Sequence, residues 1–347
     1  MYRINKALYR IGLIGLATLV IGCEQKPVDF HGQTMGTSYR VRIMDAPHPI
    51  LDKDSFQKEI DSLLLDVNMK MSTYIPTSEI SRFNSSKSLQ PFSVSDAFLF
   101  VFNKARKIYL ETDGAFDPTV EPLVDLWGFG KLGRRDEPPS ESEVLHLLGR
   151  VGMGKILFGQ NFIQKTLPEI QVDFSAIAKG YGVDAVAEYI GAKGYKDFLI
   201  EIGGEVVVKG LHGDKPWRVG IDKPSIEHPF AHTLEAILEI SNEAIATSGD
   251  YRNYFIARDS LFSHTINPVT GRPVHNGVAS ATVIAPNCTL ADALATSLMV
   301  LGERKGLAWI EKKPGVEAML ILREGHTYRV AMSSNFKKFI VQEWEKR

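Results

Sequence analysis

The chain has 347 residues, with 40 Lys and Arg balanced by 41 Asp and Glu, a formal net charge of −1. No basic block or stripe interrupts that balance, which excludes the electrostatic footprint of a nucleic-acid-binding protein. Two cysteines exclude a disulfide framework and a thiolate metal site, and the length allows one large domain or two modest ones.

Arg3, Lys6 and Arg10 precede an apolar run over residues 11–21 that ends in Gly22-Cys23. A basic stretch followed by a short apolar one reads as a secretory signal, too short for a comfortable membrane span. A small residue directly before cysteine resembles a bacterial lipobox. The expectation is therefore a leader over residues 1–22, lipid on Cys23, and a mature domain over residues 23–347; an uncleaved signal anchor is the alternative. Acyl chains contribute roughly 0.8 kcal/mol per buried CH₂, so several on Cys23 would hold the protein at a membrane.

Residues 30–44 alternate, with Tyr39, Val41 and Ile43 against Ser38, Arg40 and Arg42, as in a half-buried strand entered through a loop at residues 32–37. Residues 54–68 place Phe56, Ile60, Leu63, Leu64 and Val67 on one helical face. A second helix is expected over 95–111 with Ser95 as its cap, and a turn-rich tract follows at residues 112–118. Residues 134–140, charged and Pro-rich, read as a surface loop where a subdomain division is expected; a short helix over 141–148 follows. Residues 170–174 read as a strand and Ser175 as the start of a helix. FLIEIGGEVVVKG reads as a strand carrying a glycine pair, hence a bulge or close backbone approach. Strands dominate residues 217–263, with a loop expected over 223–230. Strands and helices interleaved this irregularly argue for an α+β fold of mixed, largely antiparallel sheets with packed helices.

Three stretches carry candidate chemistry. In VDFSAIAKGYGVDAV, Asp173 and Lys179 flank a helix start whose unpaired N–H groups favour phosphate, although a capped helix with a solvated lysine fits the same spacing. Gly180 and Gly182 each cost about 1 kcal/mol relative to Ala inside a helix, so close packing or ligand approach must justify them. In ADALATSLMVL, Asp292 and Thr296 lie one turn apart on one face and can offer oxygen to a hard cation. Asp292 also reads as part of a capping box behind Thr289. His264 stands at a strand end before a Pro-Val-Thr-Gly turn, where a partly buried, satisfied histidine is the plainer reading.

GQTMGTSYRV, MSTYIPTSEISRFN, TDGAFDPTVEPLVDLWGFG, VDFSAIAKGYGVDAV, EIGGEVVVKG, TSGDYRNYF, SHTINPVTGRPV and ADALATSLMVLG, in that order, resemble the FAD:protein FMN transferase (ApbE-like) family over nearly the whole mature chain. The resemblance implies an active site in a cleft between two subdomains and Mg²⁺-dependent transfer of FMN from FAD to a threonine of an acceptor protein, releasing AMP. Met35, Tyr74, Ala115, Phe116, Asp117, Asp173, Lys179 and Ile266 match FAD-binding positions. Ala176, Asp292, Ala295 and Thr296 match metal-holding positions, Ala176 and Ala295 through main-chain oxygen, and His264 matches the general base. Phe174-Ser175-Ala176, Glu201 and Asn267 depart from residues common in the family. Implied acceptors are subunits of Nqr and Rnf complexes carrying a Ser/Thr-Gly-Ala-Thr-like motif. The implied location is the bacterial envelope, lipid-anchored at Cys23 and facing the periplasm; the inner membrane is favoured, although Glu24 leaves that choice open. FAD pyrophosphatase activity, or FAD binding without chemistry, would use the same pocket.

Overall fold

All eight residues of the strand Val278–Ala285 are buried, because the sheet that contains it is covered on both faces. The computed structural model describes residues 27–343 apart from 45–49, 51, 132, 134, 136, 225–233, 251–253, 258–259 and 326. The leader, Cys23 and most of the 223–230 loop lie outside the described residues. An eight-stranded sheet runs in the order Val28–Thr34, Thr37–Ile43, Phe198–Ile202, Glu205–Lys209, Ala244–Gly249, Val278–Ala285, Glu317–Glu324, Thr327–Met332, antiparallel at every pairing. Successive side chains on a strand point to opposite faces. Val207, Ala246, Val283 and Leu320 therefore meet helices on one side. Val206, Val208, Ile245, Ile284 and Ile321 meet a three-stranded sheet, Trp217–Asp222, Leu234–Ile240 and Ile340–Glu343, on the other.

Seven helices occur among the described residues: α1 (Lys53–Met71), α2 (Glu79–Ser85), α3 (Asp96–Glu111), α4 (Glu121–Leu126), α5 (Glu141–Leu148), α6 (Ala178–Ala192) and α7 (Cys288–Ile310). α6 and α7 lie on the large sheet, and α1 packs Phe56, Ile60 and Leu64 into the same cluster. A second core gathers Phe83, Phe98, Val101, Phe102 and Phe174 with Ile163 of a small three-stranded sheet, and Ala293 of α7 ties it to the first. The fold is α+β, with the cleft described below between the helical part and the large sheet. Leu123 and Trp127 before the 134–140 loop share a cluster with Val144 and Val151 after it.

Helix α1 extends beyond the expected 54–68 and is capped by Asp52, while Ser95 caps α3 as expected. Residues 30–44 form a hairpin rather than one strand, turning at Met35-Gly36, both at positive φ. The glycine pair Gly203-Gly204 is likewise a hairpin turn and not a bulge: φ values of +60° and +99° fit the primed turn that two-residue hairpins favour. Residues 170–174 form no strand. Asn84 instead bonds both backbone groups of Val172, each at 2.8 Å, standing in for a neighbouring strand. Helix α6 begins at Ala178, not Ser175, because Asp173 Oδ1 accepts from the Ser175 amide at 2.8 Å and from its hydroxyl at 2.5 Å, and so holds Ser175 in a turn.

The helical glycines answer to packing. A Cβ at Gly180 would run into the Cys288 carbonyl and lie 2.8 Å from Asp292 Cβ, and one at Gly182 would lie 2.8 Å from Met35 Cε. At Gly191, near the other end of α6, a Cβ meets nothing within 4 Å. Gly180→Ala should therefore destabilise by about 1–3 kcal/mol through overpacking. Gly191→Ala should stabilise by up to about 1 kcal/mol. Urea unfolding of the two variants checks this, and equal shifts would contradict the packing account.

Candidate active site

The N-terminus of α6 meets the first turns of α7 where Gly180 allows it, and this contact sets the position of Asp292. The Gly180 amide donates to Asp292 Oδ2 at 2.9 Å, so Asp292 satisfies a first-turn N–H of the neighbouring helix and does not cap its own. That second task falls to Asn287, the N-cap of α7, and to Asp184 of α6, which accepts from the Cys288 amide at 2.8 Å and the Thr289 amide at 2.7 Å. The expected capping box at Thr289 is thus replaced by a side chain 105 residues away in sequence. One turn on, the Thr296 hydroxyl lies 3.1 Å from that of Ser248 on the large sheet.

Asp292, Thr296 and Ser248 line a cavity of about 480 Å³. Its helical wall carries Tyr74, Ala115, Phe116, Asp117, Asp173, Ala176 and Lys179, with Asp292 and Thr296 of α7; His264 and Ile266 complete the lining. Eleven of the thirteen binding, metal and catalytic positions expected from the sequence are thereby brought together. Met35 and Ala295 do not line it. Met35 sits in the hairpin turn with its Cε against Gly182, and Ala295 is fully buried in the core beside Leu294 and Leu298. Tyr74 is 73% exposed at the rim, while Phe116 is buried. His264 follows the strand Ser260–Ser263 and faces Phe129, ring centroids 6.4 Å apart. The turn after it is held by the Trp127 indole, which donates to the Gly271 carbonyl at 2.7 Å.

Acids outnumber bases in the lining. Asp117, Glu121, Asp173, Glu205 and Asp292 line the cavity against Lys131 and Lys179. Burial pushes Asp117 up to about 6, against the bonds it accepts from Thr119, and pushes Glu121 up to about 7 with help from the Asp173 charge. Burial also raises Glu205, and Asp292 adds to that against the pull of Lys179. Burial opposes the Lys179 charge, yet Asp292 and Glu205 outweigh it and keep this ammonium protonated.

Asp292, Thr296 and the Ala176 carbonyl offer oxygen alone, and among the described residues no group of three or more His, Cys, Asp or Glu converges to hold a metal. Oxygen donors with a single carboxylate fit a hard cation that keeps waters and takes phosphate oxygens as ligands, as Mg²⁺ does, and do not fit zinc. The buried Glu205 Oε2, which has no hydrogen-bond partner, adds an uncompensated oxygen to the same wall.

Residues 35–320 match the model of the ApbE family. The chain belongs to the ApbE family. A Vibrio cholerae protein named FAD:protein FMN transferase is 43% identical, over 94% of this chain and 98% of its own. The solved flavin transferase ApbE from Vibrio cholerae superimposes with a TM-score of 0.81 at 42% identity, covering 90% of this chain and 99% of that one. The Pseudomonas stutzeri flavinyl transferase ApbE does so with a TM-score of 0.82 at 32% identity, covering 92% and 98%.

Several cavity residues were not singled out from this ApbE-family sequence. Glu121 is 4% exposed, pairs with Lys131 at 2.8 Å and accepts from Asn84 at 3.1 Å. Asn84 reads in sequence as an ordinary residue near a helix end, and nothing local marks it. Glu205 had one available signal, its place directly after the Gly-Gly turn.

Folding raises the Glu121 pKa from 4.5 to about 7, so the folded state binds this proton more tightly than the unfolded chain does. The associated stability is complete below about pH 4.5 and is lost as the pH rises through about 7, up to roughly 3 kcal/mol. Glu121→Gln removes the titration. Relative to wild type it should gain stability by that amount between pH 4.5 and 8, as read from urea unfolding; a constant difference across that range would refute the buried charge.

Proposed function

We propose that this protein is an FAD:protein FMN transferase that uses Mg²⁺ to move FMN from FAD onto a threonine hydroxyl of an acceptor protein, with AMP released. The observation that carries this reading is the convergence of Asp292, Thr296, Lys179 and His264 on one cavity, in a chain whose relatives bear that activity in their name.

The flavin and adenine ends of FAD need flat apolar surface, and Tyr74, Phe116, Phe129 and Ile266 supply it. The pyrophosphate belongs at the deep end, where Lys179 and the α6 N-terminus carry positive charge. Asp292, Thr296 and the Ala176 carbonyl would hold Mg²⁺, which when bound neutralises pyrophosphate charge and polarises a phosphoryl oxygen. Lys179 remains protonated beside it and shares the charge that builds on the leaving AMP. A threonine hydroxyl is a weak nucleophile; the His264 imidazole takes its proton as the oxygen attacks the phosphorus on the FMN side, and the bond to the AMP phosphate breaks in line. Asp117 organises the helical wall, accepting from the Thr119 amide at 2.8 Å and its hydroxyl at 2.6 Å, while that hydroxyl accepts from the Gly152 amide at 2.6 Å.

Lipid on Cys23 would tether the domain in the bacterial envelope, facing the periplasm at the inner membrane. The first described strand opens at Val28. The few intervening residues span at most about 3.5 Å each, which keeps the domain close to membrane-embedded acceptors such as subunits of Nqr and Rnf complexes. Cys23→Ser should abolish incorporation of labelled fatty acid into the protein, read on a gel after growth with the labelled acid; undiminished labelling would remove the anchor from this account.

The direct test incubates the protein with FAD, Mg²⁺ and an acceptor carrying a Ser/Thr-Gly-Ala-Thr-like motif, and reads flavin fluorescence on the acceptor in a denaturing gel. Asp292→Ala should abolish labelling in a protein that stays folded. His264→Ala should slow transfer by roughly 10²–10⁴-fold with FAD affinity nearly unchanged. Free FMN and AMP with no labelled acceptor would identify a pyrophosphatase, and FAD bound without any product a carrier.

A further inference from the structure

Lys179 stands in the first turn of α6 between two buried carboxylates. Its Nζ donates to Glu205 Oε1 at 2.6 Å and lies 3.9 Å from Asp292 Oδ1, beyond a direct hydrogen bond. Asp292 Oδ2 is already occupied by the Gly180 amide. Oδ2 keeps only one lone pair beside that bond, so Oδ1 is the freer oxygen for a cation bound at this wall, and it is the one that Lys179 would cover if it settled on Asp292.

We infer that Glu205 is a positioning residue that draws the Lys179 ammonium away from Asp292 and so keeps Oδ1 open to a divalent cation. Glu205 is 3% exposed, and its Oε2 is buried with no hydrogen-bond partner. A carboxylate held this way carries a desolvation cost that its single ion pair need not recover. The hairpin it belongs to does not require it either, since the turn depends on Gly203 and Gly204. Its geometry accounts for its presence. Glu205 gives Lys179 a closer anionic partner than Asp292, so the lysine stays charged and beside the pyrophosphate site without occupying the carboxylate oxygen that a cation needs.

The inference rests on the cation-dependent reading above, and the experiment separates the two. Mn²⁺ serves as the probe, titrated into the full-length protein with saturating FAD and followed by the electron paramagnetic resonance signal of the free ion. Glu205→Gln keeps the size and an acceptor for Lys179 but removes the charge. It should weaken Mn²⁺ binding roughly 10–100-fold, the usual effect of losing a residue that orients a metal ligand. FAD affinity measured without metal should change far less. In a Lys179→Met background the same Glu205→Gln substitution should cost little further, because no ammonium remains to cover Oδ1.

Unchanged Mn²⁺ affinity in Glu205→Gln overturns the inference. An equal loss in the Lys179→Met background also overturns it, since Glu205 would then bind the ion itself. If the Gln variant does not fold, Glu205→Asp, which keeps the charge but retracts it by one methylene, should show the same loss in smaller degree. Wild-type protein that takes up FAD but no Mn²⁺ would overturn both the metal assignment and this inference, whereas wild-type binding with an unaffected Glu205 variant overturns the inference alone.

Discussion

The hydrogen bond from the Gly180 amide to Asp292 joins the two helices from which the candidate site is built. It forms only because a hydrogen atom stands where any other residue would press a Cβ into the Cys288 carbonyl. The contact brings the N-terminus of α6 and the second turn of α7 to one point. It satisfies a helix N–H that would otherwise be orphaned, and it commits one oxygen of Asp292 while leaving the other toward the cavity. Asp184 reinforces the same pairing in the opposite direction, as a residue of α6 bonding the first amides of α7. Two reciprocal side-chain-to-helix-end interactions thus fix both register and distance, and the rest of the site is arranged around them.

The second organising constraint is charge. Five carboxyl groups and two lysines share one cavity, several of them buried, and for a buried group each uncompensated charge is expensive. Three of the acids, Asp117, Glu121 and Glu205, respond by moving toward neutrality. Asp292 and Glu205 respond by sharing Lys179. The resulting wall carries more acid than base, with Lys179 as the counter-charge that two of its carboxylates share.

Much of this was legible before any coordinates. Alternation around Tyr39, Val41 and Ile43 marked a sheet with two different faces, and the periodicity of α1 and α3 placed those helices within a few residues. The glycines in α6 announced close approach. What sequence reading mistook were local connections. The 30–44 and 198–209 stretches each looked like one strand because their hairpin turns are only two residues long. Residues 170–174 looked like a strand because Ile170, Val172 and Phe174 alternate, but their backbone partner is the side chain of Asn84. Met35 packs its Cε against Gly182 and Ala295 is buried in the core, and neither lines the cavity.

By itself the sequence determined the α+β class, the family, and most of the side chains that meet in the cavity, because local periodicity and ordered motifs are properties of the chain read linearly. The tertiary structure decided that Asp292 bonds the start of α6 rather than capping its own helix, that Glu205 and Glu121 line the cavity, and that Lys179 leans on one carboxylate rather than the other. Those outcomes depend on distances between residues 26 to 112 positions apart. Spacing along the chain carries no information about them; only the packing of α6 on α7, and of both on the large sheet, sets which oxygen is covered and which is left open.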